Sequence, residues 1–135
     1  DIREGSKDSL WKIDINPNTN EPVWEKVNYK KRNAPGRIAY HTLTVMGHHV
    51  YLIGGSTLGV DSPRDYVFDL HTLEWSIIER NGKNAPDSID EHTAASIGNK
   101  IYIFGGNIAG FKNGDILIFD VNSRKWQKIE NQNGP

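Results

Sequence analysis

Apolar positions in this chain come in short runs, each closed by turn residues. Val50-Tyr51-Leu52-Ile53 stops at Gly54-Gly55, and Ile101-Tyr102-Ile103-Phe104 stops at Gly105-Gly106. Ahead of each lies another apolar piece, His41 to Met46 or Thr93 to Ile97, set off by a tight turn at Gly47-His48 or Gly98-Asn99. Behind each comes a polar loop, Ser56 to Arg64 or Asn107 to Asp115. A third strand is predicted over Asp65 to Leu70 and Ile116 to Val121. After short connections (His71 to Glu74, Asn122 to Lys125), a fourth follows over Trp75 to Glu79 and Trp126 to Glu130. Such β-branched and aromatic runs between turn residues predict up-and-down antiparallel sheets. The middle runs are apolar at every position instead of alternating, so both of their faces should be buried, as in a sheet lying between two others.

The signals repeat with a fixed spacing. Shifting by 51 carries His41-Thr42 onto His92-Thr93, Gly47 onto Gly98, Tyr51 onto Tyr102 and Gly59 onto Gly110. The same shift carries Phe68-Asp69 onto Phe119-Asp120, and Trp24 onto Trp75 and then Trp126. A period near 50 marks a modular fold whose units stack to bury their apolar faces. A partial earlier unit precedes them. Leu10 to Ile15 aligns with the third strands and Trp24 to Val27 with the fourth, across a longer turn rich in Asn and Pro.

Gly-Gly after an apolar strand, then aromatic-Asp, then Trp six residues later, resembles the Kelch repeat over essentially the whole chain. Pro35-Gly36-Arg37 ahead of His41-Thr42 resembles the longer Kelch variants. Ser88 stands where a second arginine would align. The resemblance implies an all-β fold, a partial Kelch-type β-propeller of four-stranded antiparallel blades. Residues 1–36 would form the outer half of one blade and its connection, residues 37–86 a second blade and residues 87–135 a third. Gly134-Pro135 falls near the place of Pro35 and Pro86, where a further blade would start. A fragment of a longer protein is expected, with other Kelch blades or self-association closing the ring.

Composition narrows the chemistry. The chain has 135 residues and net charge -1, with a pI near 6.6. Neither nucleic acid nor membrane is therefore an expected partner. The absence of cysteine removes thiol catalysis and disulfides, and fits a cytoplasmic setting. It also argues against a galactose oxidase-like copper domain, which needs a tyrosine linked to cysteine. There is no Walker-type loop or HExxH motif. The chain is read as non-catalytic and without cofactor, although Kelch repeats also occur fused to phosphatase and other signalling domains.

Gly54, Gly55, Gly105 and Gly106 are read as structural, permitting unusual backbone angles or close approach where strands converge. Trp24, Trp75 and Trp126 should fill the space between blades. Asp69 and Asp120 should accept turn hydrogen bonds. His41 and His92, near the start of innermost strands, are structural histidines or a channel-facing pair, and no metal site is assigned. His48-His49 is read as a solvated turn. Strand order puts the short turns on one end of each sheet. The other end carries the long loops and the inter-blade connections, Asn28 to Ala39 and Arg80 to Glu91. Leu58, Val60, Ile108 and Phe111 are apolar residues within the long loops, rimmed by Asp61, Arg64 and Lys112, with Arg37 nearby. They either form a surface for a protein or peptide partner or tuck against neighbouring loops. A spacer or assembly role is the remaining alternative.

Overall fold

A computed structural model describes residues 8–131; Gly134-Pro135 lies outside them. Strands β1 (Leu10–Ile15) and β2 (Pro22–Val27) pair as an antiparallel hairpin. Strands β3 (Thr42–Met46), β4 (His49–Ile53), β7 (Arg64–Asp69) and β8 (Glu74–Glu79) form a second sheet in the order β3-β4-β7-β8. A third sheet runs β9 (Asp90–Ile97), β10 (Lys100–Ile108), β12 (Ile116–Asp120) and β13 (Lys125–Ile129). Both are up-and-down sheets of neighbouring antiparallel strands, as the apolar runs predict. Among the described residues no helix is long and apolar enough to cross a membrane.

The long loops carry structure that the sequence reading missed. Ser56–Thr57 (β5) pairs with Val60–Asp61 (β6), and β10 continues through Gly105-Gly106 to pair with Phe111–Lys112 (β11). Each is a two-residue hairpin, turned at Leu58-Gly59 (φ 52° and 79°) or Ala109-Gly110 (φ 49° and 82°). Two successive positive φ values give the turn whose twist matches the flanking strands.

Two apolar seams hold the sheets together. Between the second and third sheets, Ile53, Val67 and Ile78 meet Ile101, Leu117, Phe119 and Trp126. Between the first hairpin and the second sheet, Leu10, Val27 and Tyr29 cover Phe68 and Trp75. Trp75 and Trp126 thus each close the seam toward the preceding sheet. Trp24 differs, being 62% exposed, because no sheet of the described residues lies on its side. The middle strands differ in the same way. Val50 to Ile53 are all buried, whereas Phe104 is exposed on a face that no described sheet covers.

The connections also depart from expectation. Lys30 N–H donates to Leu73 O at 3.1 Å, and Lys30 bridges Glu74, so this stretch lies beside the short turn of the second sheet. Only its later part reaches the long loop, where Ala39 and Ser56 exchange backbone bonds of 3.0 and 2.9 Å. This connection therefore touches both ends of the second sheet rather than the long-loop end alone.

Candidate functional site

The long-loop end is built on a tight backbone frame. Gly55 N–H donates to Ile89 O at 2.8 Å, tying the second sheet to the connection entering the third. A Cβ on Gly54 would fall on that same Ile89 carbonyl oxygen, and one on Gly55 would meet Ala39 O at 2.6 Å. Gly54 (φ 67°) and Gly55 (φ 95°) also adopt left-handed angles. Gly106 makes the same close approach to Asp90 and His92, while Gly105 has open space beside it. In each pair, the second glycine faces its own sheet's inner strand. The first faces the next sheet, where one is present.

A buried ion pair that no sequence signal marked supports this frame. Arg80 Nε donates to Asp65 Oδ2 at 2.8 Å and Nη2 to Oδ1 at 2.6 Å; Oδ1 also accepts Gly54 N–H at 2.9 Å. Arg80 Nη1 reaches Ser62 O at 3.1 Å. A bidentate pair with its remaining valences bonded can tolerate burial and pins the base of the long loop. The 51-residue shift places Ile116 and Asn131 at these positions, so the repeat pattern could not reveal it.

The inner strands meet at His92. Its Nε2 is hydrogen-bonded to Thr42 Oγ1 at 2.9 Å, across the seam from β3 to β9. Burial pushes its pKa down to about 4, outweighing the raising effect of Asp65. Burial also lowers that of His41. Both rings are held neutral, which suits imidazoles packed in a seam.

Outward from this frame, the hairpin tips project their apolar residues into solvent. Leu58 is 95% exposed, Val60 71% and Phe111 78%. Ile108 instead packs against the seam between the second and third sheets. Arg37 is exposed, with its carbonyl accepting from Thr57 Oγ1 at 2.6 Å. Arg64 is exposed and pairs with Glu79 at 3.3 Å. Asp61 pairs with Ser56 in the β5–β6 register, and Lys112 is exposed in β11. The two tips thus carry exposed apolar side chains on short hairpins, edged by charge.

At the opposite end, Asp69 Oδ1 accepts from His71 N–H and Thr72 N–H at 2.7 and 3.0 Å. Asp120 Oδ1 accepts from Asn122 N–H and Ser123 N–H at 3.0 and 2.9 Å. These backbone donors lower the pKa of both carboxyl groups.

A family model for the KLHDC2/KLHL20/DRC7 Kelch-repeats domain matches residues 3–135. Over 117 residues, the chain is 29% identical to an N-(sulfonatooxy)prop-2-enimidothioate sulfolyase of Thlaspi arvense, covering 83% of the chain and 34% of that protein. It is 32% identical over 93 residues to tRNA wybutosine-synthesizing protein 2/3/4 of Arabidopsis thaliana, covering 68% of the chain and 9% of that protein. It is 26% identical over 99 residues to human Kelch domain-containing protein 10, covering 70% and 22%. The chain spans about a third or less of the length of these relatives.

Proposed function

The chain belongs to the Kelch-repeat family, and on that premise we propose that its long-loop end binds a protein or peptide partner. The observation that carries the reading is Leu58. A large apolar side chain sits 95% exposed at a hairpin tip, on a backbone at φ 52° that L-residues adopt at a cost of about 1–2 kcal/mol. Leucine contributes nothing to the fold there that asparagine or glycine would not supply better. Val60 and Phe111 extend the same kind of surface, and apolar anchors on loops with charged edges suit protein recognition. The blades function in this reading as part of a propeller completed by other Kelch blades or by another copy, and exposed apolar faces such as that of Trp24 support such completion.

A second reading draws on the name of one relative, a sulfolyase: the chain would be a non-catalytic part of a propeller whose parent protein is an enzyme. Under either reading the chain's own contribution is binding. The test combines Leu58→Asn, Val60→Thr and Phe111→Ser in the intact protein. Partners co-purifying with wild type should fall at least tenfold on quantitative mass spectrometry. Leu58→Asn alone should leave the melting temperature unchanged or raised. Undiminished partner capture by the well-folded triple variant would sink the proposal.

A further inference from the structure

Three imidazoles and a carboxylate converge at the short-turn end of the second sheet, away from the long loops. His48 lies in the β3–β4 turn, His49 opens β4, Asp69 closes β7 and His71 follows in the β7–β8 turn. The strand register sets His49 opposite Asp69. One nitrogen from each of His48 and His71 and a carboxylate oxygen of Asp69 lie within 4.8 Å of one another. The rings of His48 and His71 stack with centroids 4.5 Å apart, and that of His49 lies 4.1 Å from His48. His49 Nε2 is 3.6 Å from Asp69 Oδ2, and His48 Nε2 is 3.9 Å away.

The third sheet supplies an internal control. Its corresponding residues are Asn99, Lys100, Asp120 and Asn122. Asp120 Oδ1 makes the same two turn bonds, and its Oδ2 accepts from Asn99 Nδ2 at 3.3 Å. The turn therefore needs its aspartate and no histidine. Three of the five histidines of the chain gather where the neighbouring repeat closes the same turn without any. Asp69 divides its work accordingly, with Oδ1 fixed by backbone donors and Oδ2 facing the imidazoles.

We propose that His48, His71 and Asp69 bind a divalent transition-metal ion of the zinc class, with His49 beside them as the available fourth ligand. Imidazole nitrogen with one carboxylate oxygen suits zinc and its neighbours; calcium and magnesium require oxygen sets. Metal–ligand bonds of 2.0–2.2 Å place tetrahedral ligands about 3.4 Å apart. Binding requires the stacked, part-exposed rings of His48 and His71 to turn so that their in-plane nitrogen lone pairs meet at one point. The backbone bonds to Asp69 Oδ1 orient its other oxygen, as outer-shell partners of metal ligands do. The bound ion cross-links the two turns and stabilises the folded state, since the unfolded chain lacks the assembled site.

The test uses the intact protein without a polyhistidine tag. The variant His48→Asn with His71→Asn places the third sheet's residues in the second. After dialysis against zinc, elemental analysis should find one zinc equivalent fewer in the variant, and the zinc-dependent rise in melting temperature should be lost. Equal zinc content in the two proteins, or none in wild type, would overturn the assignment. Cobalt offers a check that needs no variant. The wild-type protein should develop visible ligand-field absorption that zinc displaces, and its absence would also overturn the site.

Discussion

At the residue scale, the glycine pairs show how one motif serves two purposes. Both members adopt left-handed angles, but their surroundings differ. Gly54 lies against Ile89 and His92 of the neighbouring sheet, whereas Gly105 has no atom of the described residues within 4 Å of where a Cβ would stand. Gly105→Ala should therefore cost about 1 kcal/mol, from backbone angle alone. Gly54→Ala should cost about 3 kcal/mol or more, because a fixed carbonyl must move as well. Urea unfolding of the two variants measures the difference, and equal losses would mean that the close approach is not what constrains Gly54. The motif was legible in the sequence; which of its glycines faces a neighbour was not. The same holds for the left-handed residues that are not glycine. Tyr40 and Glu91, Leu58 and Ala109, and Leu73 and Arg124 are positive-φ pairs, each 51 apart. Their side chains share no chemistry that would have revealed a common backbone.

At the element scale, the strands follow from apolar runs and turn residues, and their boundaries shift by only a few positions. The small hairpins within the long loops escaped because β5, β6 and β11 are two residues each, too short for any periodicity to register. The recurring X-Gly at Leu58-Gly59 and Ala109-Gly110 was the available signal. The first hairpin differs in kind from the four-stranded sheets. Along β1 and β2 nearly every residue is exposed, and a two-stranded hairpin has little stability of its own. In this chain, amides of β1 and β2 should exchange with solvent at least about a hundredfold faster than those of β4 and β7. Hydrogen exchange followed by NMR tests this, and comparable protection would mean that the hairpin is held as firmly as the sheets.

At the scale of the whole molecule, stability rests on the seams, and one seam is sensitive to acid. His92 joins β9 to Thr42 of β3, and burial holds its pKa near 4, below the usual 6.5. Its neutral form is the one the folded state accommodates. The folded protein should therefore keep its full stability above about pH 6.5. It should lose stability as pH falls from there toward 4, where the unfolded chain takes up a proton that the folded chain resists. The loss is on the order of 3 kcal/mol by pH 4, with His41 adding in the same direction. The surface carboxyl groups of Asp69, Asp115 and Asp120, whose pKa values are lowered from 3.8, contribute stability that is lost only in stronger acid. Denaturant melts between pH 7 and 4 should show the slope for wild type and a shallower one for His92→Gln. Identical slopes would remove His92 as its source.

The amino-acid sequence by itself determined the period, the strands, the turn aspartates and the family. These depend on local propensity and on spacing along the chain, which residue identity records directly. Tertiary structure alone decided which tryptophans are covered, since Trp24 carries the same signal as Trp75 and Trp126 but no sheet of the described residues lies against it. It also decided that Asp65 meets Arg80, that Ile108 tucks in while Phe111 projects, and that two turn histidines and the first residue of β4 gather around one aspartate. Those outcomes depend on distances between segments that only the stacking of sheets brings together.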